Sequence, residues 1–119
     1  MKLHNLVIFV PDFKTAKEFY IDILGFVLKT ETENSLVLDA SNIELHIFRC
    51  EKQGAAGDYS NESRAVFVFE VASIEETMKM LQGKGVKVLH DTPGENSSGK
   101  YIAFVDPFGI VHEILEPVN

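Results

Sequence analysis

At 119 residues the chain is long enough for one domain with a real core and too short for two independent ones. Its 45% hydrophobic and 24% charged residues are those of an ordinary globular protein, and a net charge of -7 speaks against nucleic acid, which needs a basic face. No apolar run reaches the ~18 residues of a membrane span, Lys2, His4 and Asn5 interrupt the only signal-like stretch, and Cys50 is alone, so neither a membrane nor an internal disulfide is expected and the cytoplasm is the expected location.

Residues 3–10 form an apolar run of β type, closed by Pro11, which lacks the N–H a strand would continue with. Asp12 stands where a helix N-cap belongs, ahead of Phe13, Ala16, Phe19, Tyr20, Ile23 and Leu24 at spacings of three and four. Gly25 ends that helix. Residues 26–32, 35–39 and 43–49 read as short strands separated by turn formers such as Glu33-Asn34 and Ala40-Ser41-Asn42. The first half is thus β-α-β-β-β, a module over residues 1–50.

Residues 51–63 are polar and rich in Gly, Ser, Asn and Glu, as a connection between halves would be. The same order then recurs over residues 64–119. A strand at 64–71 leads to Ser73, which with Glu76 makes a capping box for a helix carrying Ile74, Met78 and Leu81, ended by Gly83 and Gly85. Strands at 86–90, 100–105 and 110–115 complete the second module, with a flexible loop expected at 92–99. Val105-Asp106-Pro107-Phe108-Gly109-Ile110 reads as strand, tight turn and strand, and Glu113 follows as one carboxylate among apolar neighbours. A carboxylate on such a strand needs a partner, a metal or water.

Laid over each other, the halves match Val10 with Val71 and Glu44 with Glu113. With these landmarks in place the chain resembles the vicinal oxygen chelate superfamily of glyoxalase I, fosfomycin-resistance transferases, extradiol dioxygenases and bleomycin-resistance proteins. The resemblance spans the whole chain and rests on Val10-Pro11-Asp12 leading into Ala16-x-x-Phe19-Tyr20 and Leu24-Gly25-Phe26, and on Asp106-Pro107-x-Gly109-x-x-x-Glu113. It implies a single α+β domain, residues 1–119, of two βαβββ modules forming a curved mixed sheet around a U-shaped cleft with helices on the convex side, and a homodimer.

Metal-using members of that family draw ligands from the first and last strand of each module. Here those positions fall on Asn5, Glu44, Val66 and Glu113. Two carboxylates, an amide and a valine hold a zinc or iron ion poorly, so no metal cofactor is favoured. A fallback divalent-metal site is Glu44, His46 and Glu113, since His46 shares a strand face with Glu44 and Phe48. His112 faces away from Glu113, His4 is expected toward the helix layer or chain end, and His90 is expected as a solvated loop residue.

Strand parity lines the cleft with Asn5, Val7, Phe9, Glu44, His46, Phe48, Val66, Val68, Glu70, Tyr101, Ala103, Glu113 and Leu115. Such an apolar, partly aromatic and acidic groove suits a small hydrophobic or cationic molecule, and binding without a classical metal site is the first reading. The second is an enzyme, a lyase, isomerase or transferase using Glu113 with Glu44 or His46, with or without a divalent metal. The third is a non-catalytic scaffold subunit.

Overall fold

The computed structural model describes residues 3–51 and 65–118. Of the connection expected at 51–63 only Glu51 falls among them, and Arg64, the expected start of the next strand, lies outside. The described residues fall into two compact units, divided between residues 53 and 54.

The first unit runs β1 (Asn5–Val10), α1 (Phe13–Lys17), β2 (Val27–Glu31), β3 (Ser35–Asp39) and β4 (Glu44–Arg49). Its sheet has the order β1-β4-β3-β2, with β1 parallel to β4 and the other pairs antiparallel. A parallel pair cannot be closed by a tight turn, so the helical segment supplies the crossover. Asp12 starts it as the spacing predicts: its carboxylate accepts the Lys14 N–H at 3.0 Å and the Thr15 hydroxyl. The single α-helix expected here is corrected after one turn, because Glu18–Ile23 is π-helical and the Leu24 N–H bonds Phe19 O at 2.9 Å. Phe19 and Tyr20, adjacent in sequence, are both buried and meet edge to face at 5.0 Å.

The core of this unit comes from one face of β1, β3 and β4 and from the helical segment. Ile8 and Val10 on β1, Leu36 and Leu38 on β3, and Leu45 and Ile47 on β4 are buried, together with Phe13, Ala16, Phe19 and Tyr20. Arg49, on the same face of β4, lays its guanidinium 4.2 Å from the Phe13 ring centre. Period-two alternation therefore leaves Val7, Phe9 and Phe48 exposed on the opposite face.

The second unit runs β5 (Phe67–Glu70), α2 (Ile74–Gly83), β6 (Lys87–Val88), β7 (Gly94–Asn96), β8 (Gly99–Val105) and β9 (Val111–Pro117). Its sheet has the order β5-β9-β8-β6, β5 is parallel to β9, and β7 pairs with β8. The flexible loop expected at 92–99 is corrected: Asn96 Oδ1 accepts the Ser98 and Gly99 N–H groups at 2.8 and 3.2 Å, which folds the segment into a hairpin. Gly99 has φ +148, and a Cβ there would stand 2.0 Å from Glu116 O, so only glycine fits.

α2 packs against β6, β8 and β9. Ser73 Oγ accepts the Glu76 N–H at 3.3 Å, and Glu116 on β9 adds a cap by accepting the Ile74 N–H at 2.9 Å. At the β8–β9 turn Asp106 is buried, and its Oδ1 accepts the N–H groups of Phe108 and Ile110 at 2.9 and 2.7 Å. Each unit is thus a βαβββ module, the second with an added hairpin strand. Among the described residues no helix is long and apolar enough to cross a membrane.

Candidate functional site

Three strands set out the open face of the first sheet. The ladder places Asn5 beside Glu44, Val7 beside His46 and Phe9 beside Phe48, and on the far side of β4 it adds Asp39, Val37 and Ser35 opposite the same three residues. The face is zoned as a result. Asn5, Glu44 and Asp39 form a polar end, Val7, His46 and Val37 a middle, and Phe9, Phe48 and Ser35 an aromatic end. The Phe9 and Phe48 rings lie 6.2 Å apart, and Phe9 is 62% exposed.

The polar end is a closed set of contacts. Glu44 Oε1 meets His46 Nε2 at 3.0 Å, and its Oε2 accepts from the Lys29 ammonium. Lys29 lies on β2, where a bulge between Leu28 and Thr30 shifts the register against β3. Asn5 Oδ1 is 2.8 Å from His4 Nδ1, and its amide donates to Leu6 O at 3.4 Å. The Lys29 hydrogen bond, followed by that of His46, holds the Glu44 carboxyl down at about 2. The same pairing raises the Lys29 ammonium above its ordinary value, with a further push from Asp39.

These donors fit a divalent ion poorly. Both Glu44 oxygens are engaged, one of them by a cation, and the amide beside them is already paired. Among the described residues no group of three or more His, Cys, Asp and Glu side chains could hold a metal ion.

On the second sheet Glu113 is half-buried on β9, with Val68 opposite on β5 and Ala103 opposite on β8. Val66, the expected position three residues before Phe69, is half-buried and precedes β5, and the ladder partner of Glu113 is Val68. Val68 and Glu70 are exposed and Leu115 is half-buried, but Ala103 is fully buried, a correction to its expected place on an open lining. Tyr101 is half-buried against the hairpin: a Cβ on Gly94 would stand 2.6 Å from its Cζ, and its ring meets His90 at 5.8 Å.

Of the remaining histidines, His90 departs from expectation. His90 is not a solvated loop residue, since its Nδ1 accepts the Ala103 N–H at 2.9 Å. His4 bonds its neighbour Asn5 and stays exposed. His112 turns away from Glu113 as parity requires, into a pocket where the rings of Phe67, Phe69 and Phe104 lie 5.3, 5.6 and 5.6 Å away. Burial there drives its imidazole down to about 4, so it is neutral at physiological pH.

The residue that sequence reasoning missed is Lys29. Its only signal is a charged residue following the apolar Phe26, Val27 and Leu28, which says nothing of a carboxylate two strands away.

A family model described as Glyoxalase/Bleomycin resistance protein/Dioxygenase superfamily matches residues 2–114. Among solved structures the chain is similar to a glyoxalase family protein from Enterococcus faecalis, with 26% identity, TM-score 0.79 and 97% of each chain covered. It is also similar to the genomically encoded fosfomycin resistance protein FosX from Listeria monocytogenes, with 15% identity, TM-score 0.81 and coverage of 99% and 94%. TnmS3, an antibiotic binding protein from Streptomyces sp. CB03234, shares 22% identity at TM-score 0.72, with 98% of each chain covered. Comparison with curated proteins returns no significant match.

Proposed function

The chain belongs to the Glyoxalase/Bleomycin resistance protein/Dioxygenase superfamily, and on that premise we propose that it binds a small hydrophobic or cationic molecule without a metal ion. The observation that carries this reading is the zoned open face of the first sheet. Phe9 and Phe48 present two neighbouring rings to solvent, and His46 joins them to the polar end. Covering both rings with a flat ligand contributes roughly 2–3 kcal/mol, enough for a weak anchor that polar contacts then orient. With Glu44 paired to Lys29, Asp39 is a further carboxylate that the ladder places on this face to attract a cationic group. The Streptomyces protein of the same fold is described as antibiotic binding, which is the kind of role this reading assigns.

A second reading is favoured by the 3.0 Å contact between His46 and Glu44. A carboxylate that accepts the Nε2 proton leaves Nδ1 as an acceptor, which is how a general base is oriented. In that enzyme His46 takes a proton from the substrate and Glu44 positions it. The two readings separate when metal-stripped protein is incubated with amphipathic aromatic compounds that shift its melting temperature. Recovery of the compound unchanged, with binding lost in Phe9→Ala and Phe48→Ala, supports the binding protein. Conversion of the compound, abolished by His46→Ala, replaces it with the enzyme. No compound shifting the melting temperature would refute both and leave a scaffold.

A further inference from the structure

We infer that Lys29 is the resident cation of the first sheet, its ammonium standing at the Glu44 oxygen that a divalent ion would need and so keeping the ion off this face. The inference does not depend on which small molecule binds. It starts from where the donors lie. Glu44 and His46 share a face of β4 and touch at 3.0 Å, and Asp39 is the ladder partner of Glu44 on β3. A carboxylate and an imidazole in contact on one strand face are donor classes that a divalent ion takes, although no third such side chain completes a group among the described residues. What distinguishes this set is Lys29, at the bulge in β2, which donates to Glu44 Oε2 and lies within electrostatic reach of Asp39.

An ammonium in that position acts in two ways. It occupies an oxygen lone pair, and it repels a dication arriving at the same oxygen. At about 4 Å in the dielectric of water, a single positive charge opposes a divalent ion by a factor of roughly thirty, of which salt screening leaves about ten. The donors that remain are too few to recover that factor, because Asn5 is already bonded to His4 and Leu6. Lys29 is itself half exposed on an edge strand whose residues are all exposed, so replacing it removes a charge without opening the core.

The test titrates metal-stripped, full-length protein with nickel chloride at pH 7.5. It follows paramagnetic broadening of the backbone amides of residues 44–46 in two-dimensional NMR, with circular dichroism to verify folding. Lys29→Met should bind nickel at this place at least ~10-fold more tightly than the wild type. Lys29→Arg, which keeps the charge, should behave as the wild type, and Lys29→Met with His46→Ala should lose the gained site. Equal nickel affinity at residues 44–46 in wild type and Lys29→Met, whether strong or absent in both, would overturn the inference. So would an Arg variant that gains the site as Met does.

Discussion

Replacing His112 by phenylalanine isolates the pH dependence built into the second module. The imidazole is fully buried among Phe67, Phe69 and Phe104, and its pKa falls from an ordinary 6.5 to about 4. Between those values the unfolded chain binds a proton that the folded chain refuses, so stability rises with pH across that window and is lost as pH falls through it. At 1.36 kcal/mol per pH unit the whole depression corresponds to about 3 kcal/mol, and the step from pH 7.5 to 5.0 to about 2 kcal/mol. The carboxyls held acidic by hydrogen bonds, Asp12, Glu44 and Glu75, lose their contribution only below the ordinary carboxylate range, outside this step. Urea denaturation at the two pH values, for wild type and His112→Phe, gives the double difference directly. Wild type should lose about 2 kcal/mol more than the variant on acidification. An identical pH dependence in both proteins would refute the assignment of a neutral, desolvated imidazole.

Other substitutions test the turn, the close backbone approach and the open face. Asp106→Ala leaves the Phe108 and Ile110 N–H groups without their carboxylate, which should cost about 2–4 kcal/mol in denaturant unfolding; a loss below 1 kcal/mol would mean water replaces it readily. Gly99→Ala forces a Cβ onto Glu116 O in a left-handed backbone region, and should lower stability by about 3 kcal/mol or prevent folding, read by the same unfolding curve. Phe9→Ala should instead leave stability within about 0.5 kcal/mol, because its ring is 62% exposed, while removing half of the aromatic anchor for a ligand.

Much of this architecture could be read from period and caps. Alternation at Ile8 and Val10, and at Leu45 and Ile47, assigns the buried face of the first sheet and thereby the open face that carries Val7, Phe9, Glu44, His46 and Phe48. Asp12, Ser73 and the Asp106 turn act where their side-chain chemistry predicts. What stayed hidden depends on register and on long-range pairing. Lys29 meets Glu44 through two strand pairings and a bulge, none of which leaves a mark on local spacing. β7 escaped because Gly94-Glu95-Asn96 has little strand propensity and is held by Tyr101 and the Asn96 turn. His90 looked like a loop residue because the backbone N–H it accepts belongs to a strand thirteen positions later.

The most direct measurement for the proposed binding function is a two-dimensional NMR titration of metal-stripped protein with an amphipathic aromatic probe, naphthylmethylamine, in the presence of a chelator. Saturable shifts centred on Val7, Phe9, His46 and Phe48, lost in Phe48→Ala, are the predicted result. No saturable shift, or one that appears only after a divalent ion is restored, would contradict the account.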